Sequence, residues 1–226
     1  MDRYLADLAH ALFDCGAFKD YRQSENQEGF KLDIHKTKPT TPLSPFRIDL
    51  RPADHPTEPG TITPTILEAI GQELYRKAGA SRIVYEDFVG LPDTGASLAL
   101  AFDKAQDPKK KKRILTLEKN SPPGQRFTAE LKGDYDHKDR VLLIDGLISS
   151  DTTSEATGLL RGKERLVVEH CVVLIDHRPR ALRRQSIAGL RIHAVFFIEE
   201  LIVCYITSGM MPQAVAARIL NYLDTA

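Results

Sequence analysis

Four apolar residues, an acid and then a run of small hydroxylated side chains make up VLLIDGLISSDTTSEA, residues 141–156. Backbone N–H groups and hydroxyls gathered in such a turn can surround a phosphate, helped by the positive end of a following helix. Asp145 closes the apolar run, where it can accept hydrogen bonds from a sugar diol or hold a magnesium-bound water. Ser149, Ser150, Thr152 and Thr153 are the hydroxyls of that turn. The same letters suit a strand-end Asp capping a turn, with Ser and Thr as ordinary helix N-caps, so the spacing leaves both readings open. Asp151 puts a carboxylate into the same turn. At ~4–5 Å it would repel a phosphate by roughly 3–4 kcal/mol per charge pair at an effective dielectric near 20, unless it turns away.

To act together, these residues must be held at one edge of a scaffold. Short runs rich in Val, Ile, Leu or Phe at 82–88, 113–117, 140–148, 171–176 and 193–198 predict strands. Helical spacing predicts helices over 2–15, 65–77, 96–105, 154–160, 199–207 and 213–223, with Gly16 and Gly79 as stop signals. Apolar runs without alternation fit strands covered on both faces. Strands alternating with helices imply parallel pairing through right-handed crossovers, which puts ligands outside the carboxyl ends of the strands. The expected fold class is therefore α/β, a central and mostly parallel sheet flanked by helices. Asp145, Asp176 and the loops after them fall at its ligand edge. Residues 22–64 read as a loop-rich flap with short extended candidates at 30–34 and 46–50, and 65–226 as the core of a single domain.

The chain has 226 residues, enough for one core and hardly for two. Lys+Arg and Asp+Glu both number 31, so the polyelectrolyte attraction behind non-specific nucleic-acid binding has no global source. The basic run at 109–113 reads as a solvated turn or as a lid over an anion. Cys15, Cys171 and Cys204 are far apart without CxxC spacing, and two lie in apolar runs where a thiol acts as a small hydrophobe. No apolar stretch reaches the ~18 residues a membrane span requires, and the N-terminus lacks the pattern of a signal peptide. These features lead us to expect a cytoplasmic protein without a membrane anchor.

The segment at 141–153 resembles the phosphoribosyl pyrophosphate motif of the type I phosphoribosyltransferases. Four apolar positions at 141–144, the acid Asp145, and hydroxyls at Ser149, Ser150, Thr152 and Thr153 keep its frame. Gly146 stands where a second acid is expected and Asp151 where a glycine is expected. GFKL at 29–32, SPFRIDLR at 44–51, GLPDTGASLA at 90–99, VVLIDHRP at 172–179 and GLRIHAVFFIEELI at 189–202 are similar to segments of the orotate phosphoribosyltransferase branch. The resemblance covers nearly the whole chain and implies the type I phosphoribosyltransferase fold, with the flap as its hood.

The resemblance also implies a reaction. Phosphoribosyl passes from phosphoribosyl pyrophosphate to orotate, giving a pyrimidine nucleotide, with magnesium and cations that stabilise the departing pyrophosphate. On that basis Asp145, Glu118 and Lys119 are the catalytic candidates. Asp145, Ser149, Ser150, Thr152, Thr153 and Arg126 would bind phosphoribosyl pyrophosphate, and Arg47 and Arg178 the base, while a homodimer is implied as well. The family's mobile-loop pattern is matched in register only by Glu118, and its pyrophosphate-turn Lys falls at Thr94. Two functions therefore stand side by side: a divergent transferase, or a non-catalytic nucleotide-binding or regulatory module on the same fold.

Overall fold

A computed structural model describes residues 2–32, 34–56, 58–120, 128–148 and 150–225. In chain order its elements are α1 (Arg3–Asp14), β1 (Phe18–Asp20), α2 (Ile34–Thr37), β2 (Phe46–Ile48), α3 (Pro64–Ala80), β3 (Asp87–Gly90), α4 (Thr94–Ala105), β4 (Arg113–Lys119), β5 (Ala129–Lys132), β6 (Arg140–Leu147), α5 (Ser150–Gly162), β7 (Val167–Asp176), β8 (Arg191–Phe197), α6 (Ile198–Thr207) and α7 (Gln213–Thr225). Two compact units result, one of residues 1–66 with 198–226 and the other of residues 67–197. The two C-terminal helices thus belong with the flap rather than with the sheet.

The larger unit holds a six-stranded sheet in the order β5-β4-β3-β6-β7-β8. Strands β4, β3, β6, β7 and β8 run parallel, and β5 is antiparallel to β4 at one edge. All four residues of β3 and positions 141–146 of β6 are buried. Burial without alternation is what a strand covered on both faces requires. One face carries a core that includes Leu143, Val173, Leu160 and Ala156. Two close approaches depend on glycine. A Cβ at Gly71 would lie 2.4 Å from the Ala101 carbonyl carbon, and one at Gly90 would lie 2.1 Å from the Gly95 oxygen.

In the smaller unit, β1 and β2 form an antiparallel ribbon with Lys19 opposite Arg47. Phe18 stacks on Phe46 at 6.0 Å and meets Tyr205 of α6 at 5.1 Å, while Phe13 of α1 lies 4.8 Å from Tyr205. This aromatic cluster holds α1, the ribbon and α6 together.

Two expectations are corrected, and two short strands were not foreseen. The strand expected over 30–34 is not formed by its described residues: Phe30 makes a single bridge to Ser44, and Ile34 already belongs to α2. The strand expected over 82–88 begins only at Asp87, because the preceding residues turn out of α3 with Arg82 at φ +52°. β5 and β1, four and three residues long, carry too few apolar positions to be visible as strands.

Candidate functional site

Parallel pairing brings the ends of β3, β4, β6 and β7 to one edge, and with them the β3–α4 turn, Glu118 and Lys119, Asp145, and Asp176 to Arg178. The β3–α4 turn folds tightly back on β6. The Leu91 N–H donates to the Ile144 carbonyl at 2.9 Å, and a Cβ at Gly95 would come within 2.7 Å of that same oxygen. Asp93 precedes α4 at φ +71°, in the left-handed region that disfavours a side chain.

Asp145 lies within β6 with 9% of its surface exposed. Its Oδ1 accepts from the Gly146 N–H at 2.7 Å. Burial pushes its carboxyl up to about 7, the Gly146 bond pulls the other way, and the charge of Asp93 adds to the rise. Two acids therefore act on one another at the place where the resemblance implied an acid that holds the sugar hydroxyls.

Helix α5 begins at Ser150 and carries Asp151 in its first turn. An anion there complements the positive helix end. Thr152 is half-buried and Thr153 is fully buried. The Thr153 hydroxyl has no hydrogen-bond partner among the described residues, while its carbonyl accepts from the Thr157 hydroxyl at 2.6 Å. Thr153, expected in the phosphate cradle, is thus enclosed in this structure. Ser149 and Arg126 lie outside the described residues, as does the Ser150 side chain.

Glu118 of β4 faces Lys132 of β5 across the antiparallel pair, with 2.5 Å between ammonium and carboxylate. That contact raises the Lys132 pKa. Glu118 therefore serves the hairpin, and Lys119, at the exposed end of β4, stays available. The basic run at 109–113 leads into the opposite end of β4, away from the ligand edge. Arg113 binds Asp87 and Asp139 at 2.5 Å each, and Lys111 binds Asp103 at 2.8 Å. It is a structural brace rather than a lid.

Beyond β6 and β7 lies a cavity of about 690 Å³ whose walls include Leu147, Ile148, Ser154, His177, Arg178 and Ile187. Arg178 does not offer a free fork to it. Its Nε and Nη2 bind both oxygens of the buried Asp176 at 3.0 and 2.8 Å, and Nη1 donates to the Gln185 carbonyl at 3.3 Å. His177 Nδ1 is buried with no partner among the described residues, and burial lowers the ring's pKa. Arg178, expected at the base, is thus engaged in an ion pair with Asp176 on the wall of this cavity. Arg47 belongs to the other unit, exposed on β2, with its guanidinium 3.8 Å from Asp49.

Sequence reasoning passed over Asp93, whose effect on Asp145 arises only when the turn folds back on β6. An acid directly before a helix start was the available signal. It also passed over the unpartnered His177 nitrogen, which no local pattern marks. Magnesium was implied by the resemblance. Among the described residues no three His, Cys, Asp or Glu side chains converge as a metal site, and the buried Asp145 favours its protonated form. The residues present do not fit a protein-built magnesium cage, and no step below is routed through that ion.

No protein-family profile matches the chain. It is 26% identical over 196 residues to bovine uridine 5′-monophosphate synthase, covering 86% of this chain and 35% of that protein. It is 27% identical over 183 residues to orotate phosphoribosyltransferase of Saccharolobus solfataricus, covering 80% of this chain and 85% of that one. The structure of Leishmania donovani UMP synthase superposes with a TM-score of 0.73 at 22% identity, over 98% of this chain and 42% of that chain. The chain thus spans about a third of the bovine relative and most of the archaeal one. Its fold is that of the type I phosphoribosyltransferases, mostly parallel sheet, flanking helices and all. Among the described residues no helix is long and apolar enough to cross a membrane.

Proposed function

We propose that this orotate phosphoribosyltransferase-like chain is a binding or regulatory module that recognises a ribose-bearing pyrimidine ligand without carrying out phosphoribosyl transfer. One observation carries the reading: Asp145, the acid retained for the sugar diol, is buried where the charge of Asp93 acts on it and no cation among the described residues does. Transfer needs positive groups where charge builds on the departing pyrophosphate. Here the pyrophosphate turn contributes the acid Asp93 and has Thr94 where the family has a lysine, so Lys119 alone remains among the described cationic candidates for that group. A protonated Asp145 still serves recognition, since a carboxylic acid both donates to and accepts from a hydroxyl.

Mixing the protein with magnesium, phosphoribosyl pyrophosphate and orotate is expected to leave orotate absorbance unchanged over hours at micromolar protein. Calorimetry is expected to detect uridine or its monophosphate. Steady orotate loss that Lys119→Ala abolishes would establish the transferase instead. The double change Gly146→Asp with Asp151→Gly restores the family pattern and is expected to strengthen phosphoribosyl pyrophosphate binding more than tenfold. Unchanged affinity would refute the placement of the phosphate turn.

A further inference from the structure

The flap unit contains its own cavity, about 710 Å³ in volume, whose walls include Lys19, Gln23, Asn26, Lys31, Arg47 and Arg51. Its charges do not cancel. Arg51 binds Asp49 through Nε at 2.8 Å, which holds the Asp49 carboxyl below the usual carboxylate range, and it also pairs with Glu58. Arg47 reaches the same Asp49 only at 3.8 Å. Lys19 and Lys31 have no carboxylate or hydrogen-bond partner among the described residues. The acids on the wall are Glu25 and the already neutralised Asp49, so the cavity keeps an excess of positive charge. The Gln23 carbonyl oxygen accepts from the Asp20 N–H at 3.0 Å, which fixes that side chain and leaves its amide N–H groups as further donors.

Like charges gathered without counter-charge repel one another, and an anion that enters relieves the repulsion. Lysine ammoniums act as compact point charges suited to the evenly spread charge of a phosphoryl group, while Arg47 adds a fork of donors. We propose that this cavity binds a compact polyanion, a phosphoryl or polycarboxylate metabolite, held by Lys19, Lys31 and Arg47. Every residue in this argument belongs to the flap unit, and the inference does not rest on the reading of the strand-end site.

The test uses the full chain, with inorganic pyrophosphate as the phosphoryl probe and citrate as the carboxylate probe, each titrated by calorimetry. At least one is expected to bind, more weakly as salt rises. The pair Lys19→Gln with Lys31→Gln is expected to lower affinity at least tenfold with an unchanged melting temperature. A control pair with the same loss of charge in the other unit, Lys112→Gln with Lys163→Gln, should leave binding intact, as should Asp145→Asn. Preference for pyrophosphate or for citrate identifies the ligand source. Binding of neither at millimolar concentration, or equal weakening by the control pair, overturns the proposal. Loss in Asp145→Asn with retention in the Lys19 and Lys31 pair would locate the anion at the strand-end turn and also overturn it.

Discussion

Asp145 is buried with one donor among the described residues, the Gly146 N–H, and burial pushes its carboxyl up to about 7 from the ordinary 3.8. A raised carboxyl means that the folded state holds a proton which the unfolded state releases, so this residue's contribution to stability is full at low pH and declines as pH rises towards and through 7. The gap corresponds to about 4 kcal/mol as an upper bound. Asp145→Asn keeps the accepting oxygen and removes the charge. Urea unfolding is expected to show the variant about 1–3 kcal/mol more stable than the parent at pH 8, and nearly equal to it at pH 4. Arg178 gives a second residue-scale test, because its side chain is 14% exposed and that of Asp176 only 2%. Arg178→Met leaves a buried carboxylate uncompensated and is expected to cost about 3–5 kcal/mol of stability. A variant that melts normally while losing ligand affinity would return Arg178 to a binding role.

Elements decide whether such residues meet. The turn from β3 to α4 presses on β6 so closely that Gly90 has no room for a methyl group, with 2.1 Å from a Cβ to the Gly95 oxygen. Gly90→Ala must move backbone rather than a flexible side chain. It is expected to destabilise the protein by more than about 3 kcal/mol and to alter ligand binding at Asp145, as read by chemical unfolding and calorimetry. The long buried strands were legible because β3, β6 and β7 need unbroken apolar letters on both faces. β1 and β5 were not, since three or four residues pairing with a distant neighbour leave almost no periodic signal. The same limit hid the fate of Glu118: its partner Lys132 lies 14 positions away, on a hairpin arm too short to recognise.

For the molecule as a whole, 31 basic and 31 acidic side chains leave no net field to draw a polyanionic strand. A mobility-shift titration with duplex DNA at physiological salt is expected to show no complex at micromolar protein. Charge is instead distributed locally, acids at the strand-end turn and uncompensated lysines in the flap cavity. The amino-acid sequence by itself determined the α/β class, the order of the main strands and the chemistry of the 141–153 segment. Those features depend on neighbours close along the chain: apolar runs, helix stops and a motif read letter by letter. Tertiary structure alone decided which charges remain usable. It brought Asp93 to Asp145, gave Glu118 to Lys132 and left Lys19 and Lys31 without side-chain partners among the described residues. The state of an ionisable group is set by what lies within a few ångströms, and those neighbours come from distant parts of the chain.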